Sequence, residues 1–277
     1  MRSLDAHVPD GVTPELTRIV ALVREGARRE LLPRFGSIAS VRKADGSVVT
    51  EADRAIQSWI EGELVRRWPA IPVLAEEMGP ARQRAVLAGG HAALWCMDPL
   101  DGTSNFAAGT PFFCVSLALI EGNRVTRAVV YDPVRDECFA AAAGHGAWCN
   151  GADLAPGSAA PELAECIAGV DFKRLASPLA SRLAADPPFR SQRNFGAAAL
   201  DWCWVAMGRY GVYLHGGQQL WDFAAGSLIL AEAGGGSCTL DGATVFRPEL
   251  GARSVVAARD ACLLREWRAW LGVPGDP

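Results

Sequence analysis

The sequence predicts a mixed α/β (α+β) fold, and three features of it lead there. The N-terminal part reads as two amphipathic helices followed by a run of hairpin-linked strands. The C-terminal part alternates strands with helices, the pattern of an α/β half. Half of the 277 residues are hydrophobic, enough for a large core, and the net charge of −4 comes with no basic block. That charge pattern argues against nucleic acid as the main partner. No apolar run reaches membrane-spanning length and the first residues have no signal-peptide core, so a cytoplasmic protein away from membranes is expected.

The first helix is expected from Thr13 as cap and Pro14 at its first position, with Leu16, Ile19, Val20 and Val23 on one face, running to about Leu32. Asp45-Gly46 makes a turn, and Thr50 with Asp53 forms a capping box for a second helix carrying Ile56, Trp59, Ile60 and Leu64 towards the core. On that segment alone, Asp53 is a carboxylate in the first turn, where the helix dipole favours it. Residues 71–74 form a short strand that runs into Glu76-Glu77, and residues 82–90 read as an exposed connection.

Strands follow over 92–97, 111–121, 125–131, 137–143 and 147–149, with Asn150-Gly151 as a turn. After a small-residue loop at 155–161 come a strand at 166–171, a helix at 177–185 capped by Ser177, and an apolar helix at 196–207. A strand at 211–214, a helix at 222–233 stopped by three glycines, strands at 236–240 and 254–258, and a final helix at 261–271 complete the chain. Eight scattered cysteines, with no C-x-x-C pair, read as buried reduced thiols rather than disulfides or a zinc site.

The chemistry concentrates in Asp98-Pro99-Leu100-Asp101-Gly102-Thr103-Ser104-Asn105. An apolar strand delivers two carboxylates three residues apart into a tight turn. Like charges that close repel, so a cation is called for. Oxygen ligands at a strand end suit Mg²⁺, which takes a few carboxylates plus water and substrate phosphate. The turn after Asp101 offers backbone N–H groups at a helix start, a ready anion site. Cation and anion sites in one turn read as the active site of a phosphate-ester enzyme. Further acids stand at element boundaries far away in the chain: Asp53, Glu76 and Asp222, the last within Trp221-Asp222-Phe223-Ala224-Ala225-Gly226.

Taken together, residues 45–53, Glu76-Glu77, 98–106 and 221–226 resemble the inositol monophosphatase superfamily of metal-dependent, lithium-sensitive phosphatases, over nearly the whole chain. The resemblance implies a layered αβαβα sandwich of the inositol monophosphatase and sugar phosphatase type. It also implies a single catalytic unit over 11–272, with halves at about 1–150 and 151–277, and a homodimer. Glu76, Asp98 and the Leu100 carbonyl would hold one Mg²⁺. Asp98 would bridge to a second, also bound by Asp101 and Asp222, and Glu76 would share in a weaker third. Thr103 with Asp53 would orient and deprotonate the attacking water, and Gly102, Thr103 and Ser104 would cradle the phosphate. Arg193, Gly196, Ala197 and Ala198 resemble the family segment lining the substrate pocket.

The implied reaction is hydrolysis of a small phosphate monoester, inositol 1-phosphate by default. Histidinol phosphate and 3′-phosphoadenosine nucleotides are the alternatives within the superfamily, and a non-catalytic regulatory scaffold is the alternative outside it. The chain departs from the inositol-specific pattern where the acid expected seven residues before the Trp-Asp aspartate is His215, which is either a substrate contact or a loop histidine without a role, and where Ala197 replaces a residue that often bears a hydroxyl.

Overall fold

A computed structural model describes residues 14–36, 40–42, 48–154 and 161–275. The expected Thr13 cap, the Asp45-Gly46 turn and most of the 155–161 loop lie outside the described residues. The helices are α1 (Pro14–Gly26), α2 (Glu51–Arg67), α3 (Pro80–Ala88), α4 (Thr103–Ala108), α5 (Ser177–Ala185), α6 (Ala198–Ala206), α7 (Leu220–Glu232) and α8 (Ala261–Leu271). The strands of the N-terminal part are β1 (Ser40–Arg42), β2 (Val48–Thr50), β3 (Val73–Ala75), β4 (Ala93–Asp101), β5 (Cys114–Glu121), β6 (Arg124–Asp132), β7 (Glu137–Ala142), β8 (Gly146–Cys149) and β9 (Ala152–Asp153). Those of the C-terminal part are β10 (Ile167–Asp171), β11 (Ser191–Arg193), β12 (Val212–Gln218), β13 (Gly236–Cys238) and β14 (Arg253–Ala258).

Two large sheets organise the molecule. The first has the order β3-β4-β5-β6-β7-β8-β9 and is antiparallel apart from the β3–β4 pair. The second has the order β11-β10-β12-β14-β13, parallel on one side of β12 and antiparallel on the other. The period-2 alternation of each strand sends its side chains to two different cores. Along β4, Trp95 and Met97 join α1 and α2 in one apolar cluster, whereas Leu94 and Cys96 join α6 and α7 in another. Tyr213, Val255 and Ala257 reach the same α6–α7 cluster from the second sheet, while Leu214, Val256 and Ala258 face α5 and α8.

The result is five layers: α1 and α2, the seven-stranded sheet, α6 and α7, the five-stranded sheet, then α5 and α8. This is the α/β sandwich, and it explains why β4, β5 and α7 are apolar almost throughout. They are covered on both sides. Fully buried Trp95, Trp202 and Trp267 each anchor one of the three cores, each worth roughly 3 kcal/mol of burial.

The structure corrects several expectations in detail. Residues 80–88 form α3 rather than an irregular connection; Pro80 occupies its first turn, where a missing N–H costs nothing. The cap of α5 is Ala176 with no side-chain bond, placing Ser177 inside the helix. Beyond Gly26 the first helix continues as a π turn, Ala27–Leu31, and a 3-10 turn, Leu32–Arg34, absorbing Pro33. The strands β1, β2 and β11 are too short to leave a periodic signal. All eight cysteines are free thiols and seven are buried, Cys262 being the exception.

Candidate active site

Four helix N-termini meet at the ends of β3, β4 and β12: α2, α4 and α7 bring Asp53, Thr103 and Asp222, and α6 brings the Ala199 backbone N–H. At α2 and α7 the sequence dictates this locally, because each opens on a capping box that ends in an aspartate. At α2 the Thr50–Asp53 capping box forms: the Thr50 N–H and hydroxyl both donate to Asp53 Oδ2 at 2.6 Å. The other oxygen, Oδ1, accepts a hydrogen bond from Thr103 Oγ1 at 2.9 Å, across 50 residues of chain. Thr103 opens α4, and its hydroxyl also lies 2.9 Å from the Leu100 carbonyl. Asp53 is buried, and burial pushes its carboxyl above the ordinary range, only partly offset by the hydrogen bonds from Thr50 and Thr103.

The acidic turn is held by a break in the sheet. The β4–β5 register shifts between Asp98 and Asp101, where Pro99 has no N–H to give the ladder. Asp98 Oδ1 accepts the Leu100 N–H at 3.0 Å, which tightens the bulge. Gly102 then turns the chain at φ +90°, and a Cβ there would lie 2.9 Å from the Phe112 carbonyl oxygen, so only glycine fits. Asp101 Oδ2 accepts the Ala199 N–H at 2.6 Å at the start of α6. Asp222 Oδ2 accepts the Gln219 N–H at 2.8 Å in a capping box at the start of α7. Glu76 follows β3, where its N–H bonds the Met97 carbonyl and its own carbonyl accepts from Gln83.

Glu76, Asp98, Asp101 and Asp222 therefore act on one another. Burial first, then the charges of Glu76, Asp101 and Asp222, drive the Asp98 carboxyl well above its usual range, and Glu76 hydrogen-bonds it. Burial raises Asp101 to about 7 against the helix N–H groups that lower it. Burial and the charge of Asp101 raise Asp222 to about 7. Among the described residues no three His, Cys, Asp or Glu side chains form a preassembled ion cage. What the fold assembles is a set of hard oxygen donors in mutual repulsion, which a hard divalent cation would relieve. Cys96 and Cys114 lie close by, and burial raises both thiols.

Beside these acids is a cavity of about 170 Å³, lined by Asp101, Asp222, Gly196, Ala198, His215, Asp171 and Asp201, among others. His215 is buried; its Nδ1 accepts the Gly217 N–H at 3.0 Å and its Nε2 lies 3.1 Å from Asp171 Oδ2. Of the other residues singled out in the sequence, Ala197 is fully buried with its Cβ against Gly102, and Ser104 is exposed on α4. Arg193 is turned onto Ser191 and the Gln192 carbonyl at the end of β11, and does not line the cavity. The sequence reading did not single out Asp171, Arg174, Asn194, Asp201 or Tyr213. An acid within an otherwise apolar helix was the available signal for Asp201, and an acid ending a buried strand was the signal for Asp171.

Fold and site together define a class: an α/β sandwich with an acidic cleft where helix N-termini converge on the broken end of a strand. Residues 14–270 match the profile described as the inositol monophosphatase family. The chain belongs to that family. It is 37% identical over 202 residues to inositol monophosphatase 1 of Solanum lycopersicum, covering 70% of this chain and 73% of that one. It is 36% identical over 212 residues to Nus factor SuhB of Xylella fastidiosa, covering 75% and 74%. Among solved structures, extragenic suppressor protein suhB from Bartonella henselae superposes with a TM-score of 0.80 at 28% identity, covering 93% of this chain and 98% of that one. An IMPase of Thermotoga maritima gives 0.76 at 27% identity, covering 93% and 99%.

Proposed function

We propose that the chain is a Mg²⁺-dependent phosphomonoesterase acting on a small polyol phosphate, with inositol 1-phosphate as the first candidate. The observation that carries this reading is the Thr103–Asp53 hydrogen bond standing beside four mutually repelling carboxylates. Glu76, Asp98, the Leu100 carbonyl, Asp101 and Asp222 would hold two ions, with Glu76 sharing in a third. Bound there, the ions would neutralise phosphate oxygens and make a bound water more acidic.

The remaining work falls to the chain's own residues. Thr103 Oγ1 directs its proton to Asp53 Oδ1 and leaves its lone pairs for a water O–H, so the water is oriented and its proton passes towards Asp53. A threonine hydroxyl is too weak a base to act without that partner. Burial raises the Asp53 carboxyl above its ordinary value, which makes it a better proton acceptor than an exposed carboxylate. The N–H groups of Gly102 and Thr103, with Ser104, would cradle the phosphate at the start of α4.

A cavity of about 170 Å³ beside the acids suits a small alcohol, with histidinol phosphate and 3′-phosphoadenosine nucleotides as the alternatives. The test is phosphate release with Mg²⁺ from a panel of these esters, compared by kcat/KM. Inositol 1-phosphate ranking far below the others would reject it as substrate, and no release from any ester would reject the enzyme. In that second case a partner-binding role comes forward, a reading favoured by the relatives named Nus factor. By family likeness we also place the protein in the cytoplasm as a homodimer, which light scattering tests.

A further inference from the structure

Glu76 lies just past the end of β3, the edge strand of the first sheet, and its carboxylate hydrogen-bonds Asp98. A side chain leaving a turn is aimed only as well as the two peptide planes flanking its Cα are held. Here each plane is held at both ends. In the plane before Glu76, the Ala75 carbonyl accepts from Gln83 Nε2 at 3.0 Å, and the Glu76 N–H donates to the Met97 carbonyl at 3.2 Å. In the plane after it, the Glu76 carbonyl accepts from the same Gln83 Nε2, also at 3.0 Å. The N–H of that plane, from Glu77, donates to Gln57 Oε1 at 3.2 Å. The Gln83 amide has two N–H groups, one for each carbonyl. With both planes fixed, φ and ψ of Glu76 are set, and the direction of its Cβ follows.

The surroundings of the two glutamines suit this role. Gln83 is 8% exposed and is the one buried residue of α3. That helix starts at Pro80, and the N–H groups of Arg82 and Gln83 both bond the Gly79 carbonyl, so the turn and the helix form one short unit. Val86 and Leu87 fasten the unit to the α6–α7 core. On the other side, the Gln57 amide donates to Glu61 Oε1 at 2.9 Å, one turn further along α2, which turns its Oε1 towards Glu77. Asp98, Asp101 and Asp222 each have a carboxylate oxygen fixed by a backbone N–H. Glu76 has the longer side chain, so a small swing of its backbone becomes a large displacement of its carboxylate. The repulsion among the four acids drives such a swing in the metal-free protein.

We propose that Gln83 and Gln57 form an amide clamp on the two peptide planes around Glu76, holding its carboxylate ready for magnesium. The inference rests on the magnesium-dependent reading of the site and adds two positioning residues to it. Gln83, which touches both planes, has the larger share.

The experiment is calorimetric titration of Mg²⁺ alone into the wild-type chain, Q83M, Q57M and L87A, with thermal melting of each. Methionine keeps the length of glutamine and removes the amide. Q83M should raise the Kd for Mg²⁺ about 10- to 100-fold, the usual effect of removing a group that orients a metal ligand, and Q57M should raise it less but by more than threefold. Q83N, whose amide stops one methylene short of the carbonyls, is titrated beside Q83M and judged by the same threshold in case Q83M does not fold. L87A trims the packing of α3 without touching the clamp, so it should lower the melting temperature and leave the Kd within threefold of wild type. Each glutamine stands or falls by its own variant: a Kd within threefold of wild type overturns that residue's share. An L87A protein that loses as much affinity as Q83M overturns the clamp as a whole, because loosened packing would then explain both. A flat titration of the wild type removes the magnesium reading itself, and with it the clamp, which is a different result from unchanged binding in the variants.

Discussion

Replacing Thr103 by Val removes one hydroxyl and keeps the shape, so the consequences can be traced atom by atom. Asp53 Oδ1 loses the hydrogen bond at 2.9 Å that the single hydroxyl proton makes to it. Asp53 is 1% exposed, so water does not replace the lost donor readily. Leaving a buried charged acceptor short of a partner costs about 1–3 kcal/mol, which in a chain of this size lowers Tm by roughly 2–4 °C per kcal/mol. The Asp53 carboxyl also rises further, because one of the bonds holding it down is gone. The larger effect is expected in turnover: losing the proton path and the orientation of the water lowers kcat by about 10²–10⁴-fold, the usual worth of a positioned acid–base group. Thr103→Ser restores the hydroxyl and should recover most of kcat. Phosphate release and thermal melting of both variants provide the assay. A T103V enzyme within threefold of wild type would refute the assignment of Thr103 and Asp53.

Three further predictions concern the frame of the site. Gly102→Ala places a Cβ at φ +90° and 2.9 Å from the Phe112 carbonyl, so it should destabilise the fold by about 2–4 kcal/mol in urea unfolding and lower turnover with it; a neutral substitution would show that the turn relaxes freely. Trp202→Phe leaves Gln218 Oε1 buried without its donor and should cost about 1–3 kcal/mol by the same measurement, an unchanged midpoint speaking against that bond. Asp201 contributes to the pH dependence: burial, then the charge of Asp101, raises its carboxyl well above the ordinary value. A raised folded pKa means that its share of stability is complete below about pH 3.9, the unfolded value, and is lost as pH climbs towards the folded one. The stability gap between Asp201→Asn and wild type should therefore move in favour of Asn from pH 5 to pH 8, and a gap independent of pH would contradict it.

Much of this architecture could be read from residue pattern alone. The period-3.6 face of Ile56, Ile60 and Leu64 placed α2, and the Thr50–Asp53 box gave its start to the residue. The doubly apolar strands of the first sheet were readable because both of their faces are covered. Short or solvated elements escaped. β11 has three residues, and α3 buries only the polar Gln83, with Val86 and Leu87 half-buried against the core. In the site, the acids at element boundaries stood out as motifs. Asp171 and Asp201 did not, because their place at the cavity depends on sheet register and on which side of α6 faces the cavity, and neither is encoded in local spacing. Arg193 shows the opposite case, a residue prominent in a motif whose side chain here bonds its own strand.

The central claim is that Glu76, Asp98, Asp101 and Asp222 serve as one magnesium-binding set. Calorimetric titration of Mg²⁺ into the wild-type chain and into D98N, with circular dichroism to show that both are folded, tests it most directly. Heat of binding in the wild type that vanishes in folded D98N, together with phosphate release, is the expected result. Magnesium binding of the same strength in both proteins would contradict it.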